Sequence, residues 1–156
     1  MQLRGTDIVV DKVRSKRNVI SGSGATASLS EFDSGSLVLM DRAAGIVFTL
    51  PAACAIGTNY KFLVTTSVTS NSYKVITGAG TELLIGGYMN NDTDTSNAVA
   101  TFDGNGTTHI AVTMNGTTTG GLIGTQLEFT KLTATQWVVD GYVRGSGVVA
   151  TAFATS

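Results

Sequence analysis

Residues 126–145 read QLEFTKLTATQWVVDGYVRG, and the alternation in this stretch decides the fold class. Leu127 and Phe129 alternate with Gln126, Glu128 and Thr130, and then Trp137, Val139 and Val143 share a face opposite Asp140 and Arg144. A period of two is that of a strand with one face buried, because successive side chains point to opposite sides of a sheet. The same period recurs upstream: Ile46, Phe48 and Leu50 in IVFTL, Tyr60, Phe62 and Val64 in YKFLVTT, and Ile110, Val112 and Met114 in HIAVTM. Further strand candidates are SLVLM (36–40), YKVIT (73–77), ELLI (82–85) and AVATF (98–102), about eight or nine strands in all.

Between these runs stand TGAGT (77–81), IGGY (85–88), FDGNGT (102–107), MNGT (114–117) and TGG (119–121). They read as turns, because Gly and Asn adopt positive φ at little cost. Asn115-Gly116 is the strongest two-residue hairpin signal, although the following TTTGGLIG can lengthen it into a loop. PAACAIG (51–57) is the one helix candidate, with Pro51 at the first helical position. The absence of a fixed-period repeat argues against a β-helix or propeller.

Composition agrees. The 156 residues include 19 Gly and about two dozen Thr, 42% are apolar and only 13% charged. Both Thr and Gly disfavour helix interiors. The expectation is an all-β chain with a single domain over residues 36–156, a β-sandwich, jelly-roll-like or small barrel, preceded by an extended arm and linker over residues 1–35. Arg4, Lys12, Arg14, Lys16 and Arg17 place five of the ten basic residues in the first 17 positions, against Asp7 and Asp11. That segment carries +3 and the remainder −4, which the overall charge of −1 conceals. SGSGATASLSEFDSGS (21–36) reads as linker, nearly empty of large apolar groups until Phe32. DIVV (7–10) with Val13 reads equally as an edge strand.

Several chemistries find little footing. One His and one Cys, His109 and Cys54, cannot by themselves make a zinc site or a disulfide. The near-neutral total does not suit nucleic acid. The start of the chain has no signal-peptide pattern, and no apolar run is long enough to span a bilayer, so neither a membrane nor a cofactor is expected. His109, with Ala111 and Thr113 on the more polar face of its strand, lacks the partners a catalytic imidazole needs and reads as a surface or interface residue. Cys54 reads as a buried, unreactive thiol. In NNDTDTSN (90–97), Asp92, Asp94 and Ser96 alternate as in a Ca²⁺-binding EF-hand loop, but Asn97 stands where that loop needs Gly and no helices flank it. The bland reading is a polar loop whose side chains make their own turns. A sugar-cleaving carboxylate pair is not legible in a β-fold, and Trp137, the aromatic platform such a groove would want, falls on the core side of its strand.

The ordered blocks DSGSLVLMDRAAGIVFTLPAA (33–53), GTNYKFLVTTSVTSNSYKVITGAGTELLIG (57–86), DTDTSNAVATF (92–102), HIAVTMNGTTTGGLIGTQLEF (109–129), QWVVDGYVRGSG (136–147) and VATAFATS (149–156) resemble the capsid decoration, or cement, proteins of tailed bacteriophages. The resemblance implies a non-enzymatic virion protein, made in the host cytoplasm. It implies a β-rich homotrimer on the capsid exterior, at three-fold and quasi-three-fold positions between major capsid proteins, stabilising the shell. The arm lies outside these blocks. Its five basic residues are expected to bind acidic capsid loops while the extended backbone adds to a neighbouring sheet edge. The alternative is a tail-fibre or tailspike module binding host glycan, and a small carbohydrate-active enzyme comes third.

Overall fold

The computed structural model describes residues 18–94 and 98–156. Among them the only helical element is a 3₁₀ turn at Glu31–Asp33, and the rest is two packed sheets and their loops. The strands are β1 (Val19–Ser21), β2 (Thr26–Ser28), β3 (Ser36–Met40), β4 (Ile46–Thr49), β5 (Asn59–Val64), β6 (Tyr73–Ile76), β7 (Leu83–Asp92), β8 (Val99–Asn105), β9 (Ala111–Met114), β10 (Gln126–Thr133), β11 (Gln136–Gly145) and β12 (Phe153–Ala154). One sheet has the order β1-β3-β5-β10-β11-β7-β8 and the other β12-β9-β6-β4-β2.

From β1 to β6 the chain alternates between the sheets, and each return lies parallel to the strand before it: β1, β3 and β5 on one side, β2, β4 and β6 on the other. This is a short parallel coil. Its turns start at Val19, Ser36 and Asn59, so the spacing is unequal and no repeat shows in the sequence. The parallel pairs separate the fold from an antiparallel jelly roll, and the two free-edged sheets separate it from a closed barrel. β7 is parallel to β11, and the antiparallel hairpin β10–β11 sits between β5 and β7.

The alternating residues face the core as their period requires. Phe48, Tyr60, Phe62, Met114, Phe129, Trp137 and Val143 are all buried. Phe48 meets Phe62 across the sheets edge-to-face at 5.4 Å, and Phe62 meets Phe129 of the neighbouring strand edge-to-face at 5.4 Å. Deleting one such ring costs about 3–5 kcal/mol. One inward position on β10 is a charge. Lys131 follows Leu127 and Phe129 on the buried face, and its Nζ pairs with Glu82 Oε1, with side-chain exposures of 0% and 4%. Trp137 Nε1 donates to Glu82 Oε2 at 3.4 Å, and Lys131 Nζ stands 5.0 Å from the Trp137 ring centre.

Four expectations change. PAACAIG is not helical: Ala53 takes φ +54°, and the segment's backbone donors go elsewhere, Ala55 N to Glu31 Oε1 at 3.0 Å and Gly57 N to Lys131 O at 2.8 Å. IGGY is not a turn but the middle of β7, and β8 likewise runs on through Gly104 to Asn105. These glycines serve close approach, since a Cβ on Gly87 would collide with Asp103 Oδ1 and Phe102 O. Asn115-Gly116 is not a two-residue hairpin, because β9 pairs with β6 and β12, not with β10. It opens a longer loop in which Asn115 Oδ1 accepts from Thr117 N at 2.9 Å and Thr119 N at 3.1 Å. The described part of the segment read as arm and linker over residues 1–35 holds the outermost parallel strand of each sheet.

Candidate functional site

All five basic residues singled out in the sequence, Arg4, Lys12, Arg14, Lys16 and Arg17, lie outside the described residues, as does DIVV. The structure does place the residue that follows them. Leu37 N donates to Asn18 O at 2.7 Å, and Asn18 Nδ2 donates to Ser36 Oγ at 3.3 Å. The described chain therefore begins stitched to the start of β3. Because β1, β3 and β5 run parallel, Asn18 shares one end of the sandwich with the 3₁₀ turn and with residues 50–58. Antiparallel pairing brings the β10–β11 turn to that end, and β11–β7 pairing brings the start of β7.

That end is tightly bonded. Asp33 Oδ2 accepts from Ser30 N at 2.9 Å and from Ser30 Oγ at 2.8 Å. The Tyr60 hydroxyl donates to Ser30 O at 2.6 Å. Burial pushes the Tyr60 phenol well above its ordinary value, and the nearby Cys54, Asp33 and Glu31 add to the shift. Cys54 is half-buried against the core.

A second surface lies on the outer face of the seven-stranded sheet. Strand register aligns Lys61, Glu128, Asp140, Gly87 and Asp103 in one row across five strands. Gln126, Glu128, Asp140 and Tyr142 border an open hollow of about 430 Å³ with Lys61. Over Gly87 it adjoins a smaller one of about 240 Å³ bordered by Met89, Thr101 and Asp103. Three carboxylates to one ammonium make this row acidic, and Tyr142, 38% exposed, offers it an aromatic face.

Neither the models of known protein families nor the curated proteins give a match to this chain.

The remaining candidates fall apart in space or into structural bonds. His109 precedes β9; its Nδ1 accepts from Asn105 N at 3.2 Å, and its ring stacks on Phe153 at 5.3 Å with planes 4° apart. Asp92 is buried, and its Oδ1 accepts from Asp94 N at 3.0 Å, while Asp94 Oδ2 accepts from Gly147 N at 3.0 Å. The first is a turn-making bond of the kind the bland reading of 90–97 supposes; the second ties the loop to a segment 53 residues away, and residues 95–97 lie outside the described set. Among the described residues no three His, Cys, Asp or Glu side chains gather as a metal site requires, and no helix is long and apolar enough to cross a membrane. Sequence reasoning missed the Glu82–Lys131–Trp137 cluster and the acidic row. Only the row left a trace, as outward positions of alternating strands.

Proposed function

We propose that this chain is a capsid decoration protein of a tailed bacteriophage. It binds the major capsid protein on the outside of the assembled shell as a homotrimer and braces it, without an enzymatic step. The observation that carries the reading is the fastening of Asn18. A segment of charge +3 continues directly from a residue bonded at two points to a close-packed body. That is the construction of a tether on a brace. The quoted blocks that resemble the decoration proteins form the sheets and loops of that body, which agrees with a family defined by scaffold and not by a catalytic motif.

The mechanism is mass action. A protein that binds the closed lattice and not its separated subunits stabilises the lattice by RT ln(1 + [L]/Kd), about 2.7 kcal/mol per site at a hundredfold excess over Kd. Trivalency multiplies modest contacts. The arm's cations pair with acidic capsid loops, so attachment weakens as salt screens them. The test is co-sedimentation of phage shells with the full chain and with residues 18–156 across a salt series. The shortened chain should bind more weakly and with a flatter salt dependence. Equal binding with equal salt dependence refutes the tether.

The acidic row supports a second reading, a fibre module binding host glycan, with Tyr142 stacking on a sugar ring and Glu128, Asp140 and Asp103 accepting from its hydroxyls. Copy number separates the two. A decoration protein is present in hundreds of copies per virion by gel densitometry, a fibre module in tens at most.

A further inference from the structure

Two stretches ten positions apart share one chemistry. Asn105-Gly106-Thr107-Thr108-His109 joins β8 to β9, and Asn115-Gly116-Thr117-Thr118-Thr119 leaves the other end of β9. Each folds around its asparagine in the same way. Asn105 Oδ1 accepts from Thr107 N at 3.0 Å, Thr108 N at 2.9 Å and His109 N at 3.1 Å, and Asn105 Nδ2 donates to Thr108 Oγ1 at 2.8 Å. Asn115 Oδ1 accepts from Thr117 N at 2.9 Å, Thr117 Oγ1 at 3.1 Å and Thr119 N at 3.1 Å, and Asn115 Nδ2 donates to Thr118 Oγ1 at 3.2 Å. The fifth residue closes each loop on the backbone of its asparagine: Asn105 N donates to His109 Nδ1 at 3.2 Å, and Asn115 N to Thr119 Oγ1 at 2.9 Å. The glycine nitrogens are engaged as well, Gly106 N with Leu84 O at 3.0 Å and Gly116 N with Gly120 O at 2.7 Å. Both turns call for glycine, with φ +65° and +84°.

Asn-Gly is the dipeptide in which a backbone nitrogen most readily attacks the side chain before it, because glycine has no Cβ in the way. We propose that Asn105 and Asn115 are latent deamidation sites, guarded by these loops while they stay closed. In the reaction hydroxide takes the glycine N–H proton and the nitrogen bonds to the asparagine Cγ. The Cγ–Nδ2 bond breaks, ammonia leaving with a proton returned from water, and water then opens the succinimide ring to aspartate or isoaspartate. In the closed loop none of the partners is free. The attacking nitrogen holds its proton against a carbonyl, and the amide that must turn to meet it is bonded at both Oδ1 and Nδ2. Both asparagines are exposed, so water and hydroxide reach them, and bonding instead of burial is the guard. Isoaspartate adds a methylene to the backbone and leaves no amide NH₂ for Thr108 or Thr118, so a loop that has reacted does not reclose. Each loop thereby turns a transient opening into a permanent covalent mark, whether or not the chain decorates a capsid.

The full chain is incubated at mildly alkaline pH, folded and in guanidinium, then digested in acid and mapped by mass spectrometry for aspartate and isoaspartate at the two sites. Three or more bonds must break to free each amide. At about fivefold per bond, the folded chain should react at least about 100-fold more slowly than the denatured one. Two variants separate the loops from the stability of the whole fold, with melting curves recorded for each. Thr119→Val removes a closing hydroxyl and should speed reaction at Asn115 about five- to tenfold while leaving Asn105 unchanged. His109→Ala should do the reverse. Comparable rates in the folded and denatured chains overturn the guard. Equal acceleration at both sites by either variant overturns it too, since protection then belongs to the fold at large, and so does the absence of any acceleration. A denatured chain that yields no product at either site overturns the assignment of the sites themselves.

Discussion

Replacing Lys131 by Met is the sharpest test of how the body is held. The substitution keeps the volume of the side chain and removes its charge, leaving the Glu82 carboxylate almost wholly buried with Trp137 Nε1, at 3.4 Å, as its remaining side-chain donor. Removing one partner of a buried ion pair costs about 3–5 kcal/mol, because the orphaned charge stays desolvated. For a chain of this size that is a melting-point drop of roughly 6–20 °C, at about 2–4 °C per kcal/mol. Glu82→Met should cost a comparable amount, stranding an ammonium against the Trp137 ring. The double variant removes both charges and strands only the indole N–H, a penalty of about 1–3 kcal/mol. The two single costs therefore fail to add, by about 3 kcal/mol or more. Denaturant midpoints of the four proteins close the cycle, taken at one protomer concentration so that association does not enter. A single variant within about 1 kcal/mol of the parent, or costs that simply add, refutes the reasoning.

Other consequences are as direct. Gly87→Ala drives a Cβ into Phe102 O and Asp103 Oδ1 and should cost about 1–3 kcal/mol, with faster amide exchange along β8 as its local signature; normal exchange and stability refute the close-approach account. Asn115→Ala removes the acceptor shared by Thr117 N and Thr119 N and should lower stability by about 1 kcal/mol, read as a denaturant midpoint without a change in slope. Alkali should unfold the chain ahead of ordinary tyrosine-containing β-proteins. Burial raises Tyr73 from 10.0 to about 12 and raises Tyr88 and Tyr60 in the same direction. The fold then keeps phenol protons that the unfolded chain releases, so this contribution is complete below pH 10 and is lost as pH climbs toward 12. Urea midpoints followed upward from neutral pH check the sign, and a flat profile through that window sinks it.

The inward residues were legible because alternation is a local property: Trp137, Phe129 and Tyr60 needed only their neighbours to be placed. What escaped depended on distant partners. Lys131 continues the buried face of β10, yet nothing within a few residues says that Glu82, 49 positions earlier, will receive it. The glycines of IGGY carry the same letters whether they bend a chain or let Asp103 lean over it. β1 and β2 are three residues each and held by backbone bonds of neighbours, so they present no apolar pattern to find. Of the candidate site, the arm's charge was plain in the sequence and its point of attachment was not. Phe32 did stand out as the first aromatic residue of the chain, after a Ser- and Gly-rich run, but its full exposure is a product of folding.

The place of the β10–β11 hairpin between β5 and β7 has a consequence for synthesis. When β7 has emerged from the ribosome at Asp92, the seven-stranded sheet is split, with two strand edges facing each other across a gap two strands wide. The filling residues end at Gly145, and at 5–20 residues per second they take about 3–10 s to arrive. During that interval each nascent chain offers open edges to its neighbours on the same message. Chaperone demand for this chain should therefore peak late in translation and fall once the hairpin is in place.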